Sequence, residues 1–506
     1  MRTTRLLSLR GHVQVAGFSS SAGSNAPASS SRRAPRPLTR TQSINSGSTL
    51  LDERSEQVAG STPIVQERVS RSLVGSNVHG TYNAQRERTI WMKKPLFARP
   101  GDSGFSSGKE AANKLEAEAV RRDPYQVDFL ESLRDVTSSI APLIEKTPKL
   151  AWVMKQLMEP EHFVTFRVSW KDDENNWRMN RGYCIKYSSA LGGFKGPLRY
   201  DHRLTHGAFR MLGFEQVLKH ALIVDESWGG ATGGADLDVT NKSADELRRF
   251  SHAFAQALSR SIGLEEDILF PVSDVEDPSG RFAALLANEA SSLAFGANLL
   301  KGKKCILSGS GKKTVVLAKL LCEIGAVPVS FSDATGVLLD NEGFDLDSVI
   351  SLEKLIANHG RLEDFRHVSK TCSFHPAGSG KSLWELAKGD AAFPAMSHSE
   401  VSADDAALLA DHGCKIVFEA YDRACSENAI QLFKDRKVLF APSKLVLAAP
   451  LNVAAQTNDS LQSKAKKILG DVIVAAQENG YQGSDLQAGA CIVAFKRLAD
   501  SEMFRV

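Results

Sequence analysis

Two glycines flanking a serine, Gly309-Ser310-Gly311, sit where a short apolar run, Cys305-Ile306-Leu307-Ser308, gives way to a helical stretch from Thr314 to Ile324. Glycines at such a junction make a sharp turn and let the backbone approach a pyrophosphate closely. A helix start also favours negative charge, and Lys312 and Lys313 add two cations there. A second apolar run, Ala326-Val327-Pro328-Val329-Ser330-Phe331, ends at Ser332-Asp333. Strand, glycine-rich turn, helix and strand within about 30 residues form the first half of a dinucleotide-binding βαβ unit. The third small position is filled by Thr314, and a plain strand-to-helix turn of this shape needs no ligand, so both readings stand. Gly311-Lys312-Lys313-Thr314 does not complete a phosphate-binding P-loop, because the earlier glycine of that motif is missing. The seven cysteines are dispersed, without a Cys-x-x-Cys pair, and read as buried thiols. The twelve histidines show no metal-ligand spacing, and no metal site is expected.

The elements that must position this turn can be read from periodicity. From Asp123 to Met158 the pattern is helical, with Phe129, Leu130, Leu133, Val136, Ile140, Leu143 and Ile144 at three- and four-residue steps. Phe163–Val168 and Gly182–Tyr187 alternate as strands, joined by the polar turn Lys171–Asn175. Helices are expected at 206–222 and 243–262. Ile416–Glu419 and Val438–Ala441 read as later buried strands, with helices at 403–412 and 426–433. The second half therefore predicts a doubly wound parallel sheet.

Composition sets the frame around these elements. A 42% apolar, 24% charged chain is that of an ordinary soluble protein with material for a sizeable core. No run of about 18 apolar residues occurs, so no membrane span is expected. The net charge of +3 argues against binding nucleic acid by bulk electrostatics, but it is a cancellation. Residues 1–100 carry 15 basic and 5 acidic residues, a net of +10, which leaves −7 for the rest. Residues 1–50 hold seven arginines, eleven serines and no acid. That is the composition of a mitochondrial transit peptide, placed at residues 1–20 with an uncertain end, and it implies the mitochondrial matrix. A basic tail without an address is the alternative. Residues 21–110 lack apolar periodicity and are expected to be a disordered extension. Its apolar patch, Ile90-Trp91-Met92 with Pro95-Leu96-Phe97, is a candidate docking segment or an internal contact.

Four strings between Arg122 and Gly234 carry a resemblance. They are Arg122-Asp123-Pro124-Tyr125-Gln126 with Phe129, Asn180-Arg181-Gly182-Tyr183 leading to Ser189–Arg199, Leu212–Gln216 with Lys219, and the expected loop Gly229-Gly230-Ala231-Thr232-Gly233-Gly234. With Leu307–Gly311, Ser332-Asp333, Gly413–Val417 and Ala441–Lys444 they resemble the glutamate dehydrogenase family, particularly its short hexameric NADP-type members. The resemblance runs from about Arg122 to Asp500. It implies a two-domain amino-acid dehydrogenase fold of the α/β class: an N-terminal α/β substrate-type dimerisation domain at 111–298, a Rossmann-like dinucleotide-binding domain at 299–455, and C-terminal helices at 456–506 returning to the first domain.

The resemblance also implies roles. Lys195 and Lys219 match the lysines that bind substrate carboxylates, and Asp274 matches the proton-transfer acid. Gly309, Ser310, Gly311, Ser332 and Asp333 fall on cofactor-binding positions for NADP or NAD, if a cofactor is bound at all. The departures are as informative. Thr232 stands at the catalytic lysine position and can neither act as a base near neutral pH nor carry a positive charge. Ala454 replaces a substrate-binding serine. Tyr421-Asp422 replace small and neutral residues, placing a carboxylate near cofactor and substrate. Between Arg281 and Lys303 about forty family residues are absent by the measure of ordinary loop and helix lengths, including a nicotinamide-contacting helix start. One proton-transfer group is worth roughly 10²–10⁴ in rate, and these losses act on one constellation. The expectation is a catalytically inactive homologue serving as a structural or regulatory subunit of a mitochondrial assembly, with partners met through residues 20–110. A homo-oligomer is also expected, and RNA or ribosome association through the basic extension is a further reading. The alternative is an active, divergent NAD(P)-dependent glutamate or amino-acid dehydrogenase, for which Lys186 or His220 would be the substitute base.

Overall fold

The computed structural model describes residues 105–239, 242–260, 268–271, 278–358, 360–367, 371–450 and 456–501, all within one compact unit of the chain. The expected transit peptide, the extension up to residue 104 with its apolar patch, Asp274 and Ala454 lie outside the described residues. The first described helix, α1 (Gly108–Arg122), begins inside the segment expected to lack order. Its start is fixed by the Ser107 side chain, which accepts the Glu110 N–H, and its Ala111, Ala112 and Leu115 are buried.

The long helical pattern resolves into α2 (Val127–Lys146) and α3 (Leu150–Leu157). Pro148 separates them, in keeping with its missing N–H. All seven apolar residues expected on the inner face of α2 are buried. Next come β1 (His162–Lys171), β2 (Trp177–Ser188), β3 (Phe194–Tyr200), α4 (His206–Leu222), β4 (Gly229–Ala235), α5 (Ala244–Leu258) and β5 (Ile268–Pro271). The strands form one mixed sheet ordered β1-β2-β4-β3-β5. β1, β2 and β4 run antiparallel in turn, while β3 lies parallel to both β4 and β5. Phe250 and Phe254 of α5 close one face by packing against Trp170, Tyr200 and Phe166.

The Gly229–Gly234 segment, expected to be a loop, is instead strand β4, buried at every residue. The reason is steric. A side chain at Gly230 would strike Val217 of α4, whose backbone nitrogen lies 2.6 Å from the Cβ position. Helix and strand can meet this closely only where the strand has no side chains. Gly196 on β3 is equally confined, its Cβ position being 1.6 Å from the Ala231 carbonyl oxygen.

After α6 (Pro278–Ala290) the second sheet begins with β6 (Lys304–Leu307), followed by α7 (Lys312–Glu323) and β7 (Val327–Pro328). The run expected as one strand to Phe331 divides here. β7 pairs with β6, whereas β8 (Ser330–Asp333) leaves to form an antiparallel sheet with β9 (Gly336–Leu339) and β10 (Ser373–Pro376). Pro328 contributes no N–H to continue the ladder. The helix α8 (Leu346–Ala357) precedes β10. Then β11 (Ala391–Phe393), α9 (Ala403–Asp411), β12 (Ile416–Phe418), α10 (Glu427–Asp435) and β13 (Leu439–Ala441) complete a parallel sheet ordered β13-β12-β11-β6-β7.

The last helices, α11 (Asn458–Glu478) and α12 (Leu486–Ala499), lie back against the first sheet's helices. Arg497 donates to the Ile223 and Glu226 carbonyls just beyond α4, and the Tyr481 hydroxyl donates to the Ser138 carbonyl at 3.0 Å. All seven cysteines are free thiols. Among the described residues no helix is long and apolar enough to cross a membrane.

Two glycine substitutions test this packing. Gly196→Ala should destabilise by about 2 kcal/mol or more through overpacking. Gly470→Ala, inside α11 with nothing within 4 Å of the added Cβ, should stabilise by up to about 1 kcal/mol. Urea denaturation midpoints should move in opposite directions.

Candidate active site

The two sheets present their strand ends to a common cleft. On the first side, Lys195 and Arg199 share one face of β3, because alternate strand residues point the same way. Lys219 lies in the last turn of α4. On the other side, the loop after β12 carries Ala420-Tyr421-Asp422-Arg423. Asp422 is fully buried and reaches across, its Oδ1 on the Lys219 ammonium and its Oδ2 on the Arg199 guanidinium. Burial opposes its charge, but Lys219 and Arg199, with Lys313 behind them, hold the carboxyl far below the usual range. The Tyr421 ring stands near both cationic side chains, 5.3 Å from the Arg199 guanidinium and 5.2 Å from Lys313 Nζ.

The loop is itself firmly built. The buried Glu419 carboxylate accepts the Cys425 N–H at 2.8 Å and the Ser443 N–H at 2.9 Å. Arg423 adopts a left-handed backbone with φ of 49°, unusual for a side-chain-bearing residue. Its guanidinium is buried on Asp135 of α2, with Glu131 at 3.7 Å. Beside it Arg134 meets Glu427 at 2.8 Å and Asp128 meets His398 at 3.2 Å. His398 is raised above its ordinary value: burial opposes the charge, and the Asp128 carboxylate outweighs it. Lys444 and Glu215, both buried, pair at 3.3 Å.

The remaining sequence candidates take the following places. The Lys195 ammonium lies 2.8 Å from the centre of the Trp228 ring, and burial lowers its affinity for a proton. Thr232 is fully buried in β4, its hydroxyl donating to the Pro197 carbonyl at 3.1 Å. His220 is pushed down to about 4 by burial. Its Nδ1 lies 2.8 Å from the Gly229 carbonyl, which fixes the proton there, and Nε2 lies 2.8 Å from the Gln216 amide. Lys186 stands over the Phe194 ring at 5.5 Å.

At the nucleotide-type turn, Gly309 has φ of 79°, and its N–H donates to the Ser332 hydroxyl at 3.0 Å. Ser308 accepts the Ala395 N–H at 2.7 Å and ties the end of β6 to the end of β11, where the strand order reverses. Gly311 caps α7 and itself offers no side-chain cap, and a Cβ there would meet nothing within 4 Å. The Asp333 carboxylate accepts the Thr335 N–H and hydroxyl and the Gly336 N–H, closing the β8–β9 turn. Ser310 sits between the two glycines. Among the described residues no cluster of three or more His, Cys, Asp or Glu could hold a metal.

Sequence reasoning passed over Arg199, Trp228, His398, Glu419 and Arg423. Arg199 lies four residues from Lys195, and the two share a face because the segment is a strand, which the sequence reading did not expect. The others had no local signal.

A mixed sheet with Lys195 on a strand and Lys219 on its covering helix, joined to a parallel sheet with a glycine turn at its reversal point, defines a two-domain amino-acid dehydrogenase fold. The Glu/Leu/Phe/Val dehydrogenase dimerisation domain matches residues 160–279, and the Glutamate/Leucine/Phenylalanine/Valine dehydrogenase domain matches residues 279–505. The NADP-specific glutamate dehydrogenase of Chlorella sorokiniana is 30% identical over 461 residues, covering 81% of this chain and 87% of that protein. That of Escherichia coli is 29% identical, covering 75% and 95%. The crystal structure of Plasmodium falciparum glutamate dehydrogenase superposes with a TM-score of 0.70 at 26% identity, covering 79% of this chain and 97% of that one. The chain belongs to the glutamate dehydrogenase family.

The pH dependence of stability follows from Asp422. Its folded value lies below the unfolded value of about 4, so its contribution is complete above that pH and is lost as pH falls toward the folded value. The thermal midpoint of the wild type should therefore drop between about pH 5 and pH 3. The Asp422→Asn variant, compared over the same range, should show a shallower acid slope.

Proposed function

We propose that this chain is a catalytically silent member of its family, acting as a structural or regulatory subunit of a mitochondrial assembly. One observation carries the reading: Asp422 pairs with both Lys219 and Arg199 from inside the protein. A glutamate dehydrogenase needs cations for substrate carboxylates and a lysine of lowered pKa to handle water. Here one substrate lysine holds a carboxylate of the same chain, the other lies on an indole, and the catalytic position is a threonine hydrogen-bonded within a buried strand.

The nucleotide turn is the better preserved part. The Gly311 cap at the start of α7, the positive φ of Gly309, and Lys312 and Lys313 fit the pyrophosphate of NADP or NAD. The cofactor would supply hydride exchange, and those residues would hold its phosphates. Relatives are named NADP-specific, which favours NADP for this chain. The Thermus thermophilus relative is described as hetero-hexameric, and a homo-oligomer or mixed oligomer through the first domain is proposed here. Mitochondrial matrix residence rests on the arginine- and serine-rich, acid-free residues 1–50, and partner contact on the basic extension that follows.

The alternative, an active divergent NAD(P)-dependent amino-acid dehydrogenase, is favoured by the relatives' activities and by the retention of Lys195 and Lys219. The purified mature protein, given glutamate with NADP or NAD and then the reverse reactants, separates the two. Turnover at least ~10⁴-fold below a family enzyme assayed alongside is expected. Robust substrate-dependent nicotinamide reduction would overturn the silent reading.

A further inference from the structure

The residues around Asp422 have the composition of an anion site. Lys219 from α4, Arg199 from β3 and Lys313 from α7 direct positive charge at one buried point. His398 approaches the same loop, its Nδ1 lying 3.4 Å from the Asp422 carbonyl oxygen. Each carboxylate oxygen of Asp422 takes one cation, the division a free carboxylate would adopt.

We propose that residues 420–427 form a tethered carboxylate ligand, in which Asp422 occupies a site for small dicarboxylates and holds the two domains together without substrate. The inference rests on the silent reading above and specifies how the site is regulated. Glu419 fixes the loop from one side, through the Cys425 and Ser443 N–H groups. Arg423 fixes it from the other, with its guanidinium on Asp135 and its N–H donating to the Ser443 hydroxyl at 3.2 Å. An anchored carboxylate competes at an effective concentration that a dissolved one must exceed.

The clamp is wider than one residue. Asp422, Arg423, Glu427 and His398 come from the nucleotide-type domain; Lys219, Arg199, Asp135, Glu131, Arg134 and Asp128 come from the first. Their pairs lie side by side across the cleft, so the loop both fills the site and closes it. Removing the Asp422 charge takes away the carboxylate that the buried Lys219 and the half-buried Arg199 share. Uncompensated buried cations are costly, and the site then recruits an anion from solution.

The test uses the full mature chain and glutarate, a five-carbon dicarboxylate without a reactive group, with neutral glutaramide as control. Calorimetry and thermal unfolding should show no glutarate binding by the wild type. Asp422→Asn should bind glutarate roughly tenfold or more tighter than the wild type, a difference of about 1.4 kcal/mol or more, and should ignore glutaramide. Asp422→Glu, which keeps the charge, should resemble the wild type. Arg423→Gln leaves the cation pair intact and loosens the tether, so glutarate should raise its unfolding midpoint even if Asp422→Asn does not fold. Equal binding by wild type and Asp422→Asn, no binding by a folded Asp422→Asn, or no glutarate effect on Arg423→Gln would each overturn the inference. Turnover by the wild type would instead remove the silent reading on which it rests.

Discussion

The triad of buried Lys219, buried Asp422 and half-buried Arg199 is the constraint around which the two halves of the molecule are arranged. Two cations and one carboxylate, taken from three distant parts of the chain, lie in a water-poor cleft. Burial of any one alone would be strongly unfavourable. Together they carry a net charge of +1, with one carboxylate oxygen on each cation, and the loop bearing Asp422 must hold its place for that pairing to persist. The left-handed Arg423, the Glu419 carboxylate on two backbone N–H groups and the Arg423–Asp135 pair all serve that placement.

This arrangement explains how a dehydrogenase scaffold can persist beside an altered site. The packing layer, in which α4 lies directly on the glycines of β4, does not depend on catalysis. Thr232 fits within that strand because its hydroxyl finds the Pro197 carbonyl. A lysine there would add a further cation to a region already holding Lys195, Lys219 and Arg199.

Much of the fold was legible from periodicity. The inner face of α2 and the full span of α4 could be read because apolar residues recur at helical steps or a capping threonine precedes them. β4 was not legible as a strand, since its glycines carry no side-chain alternation and ordinarily signal a loop. Only the proximity of Val217 shows why a strand there must be bare. The division of the second apolar run at Pro328 depended on the later strands β9 and β10, which capture β8. In the cleft, sequence alone placed a negative charge at Asp422 near the site but could not find its partners. Lys219 lies 203 residues away and Arg199 lies 223 away, so no local pattern joins them.

Internal compensation at Asp422 also bears on how long the protein lasts in a cell. A protein whose charged cleft is completed by a metabolite gains stability as that metabolite rises and loses it as the supply falls. Here the counter-charge of Lys219 and Arg199 is covalently part of the chain, so this contribution to stability does not vary with the supply of a small anion.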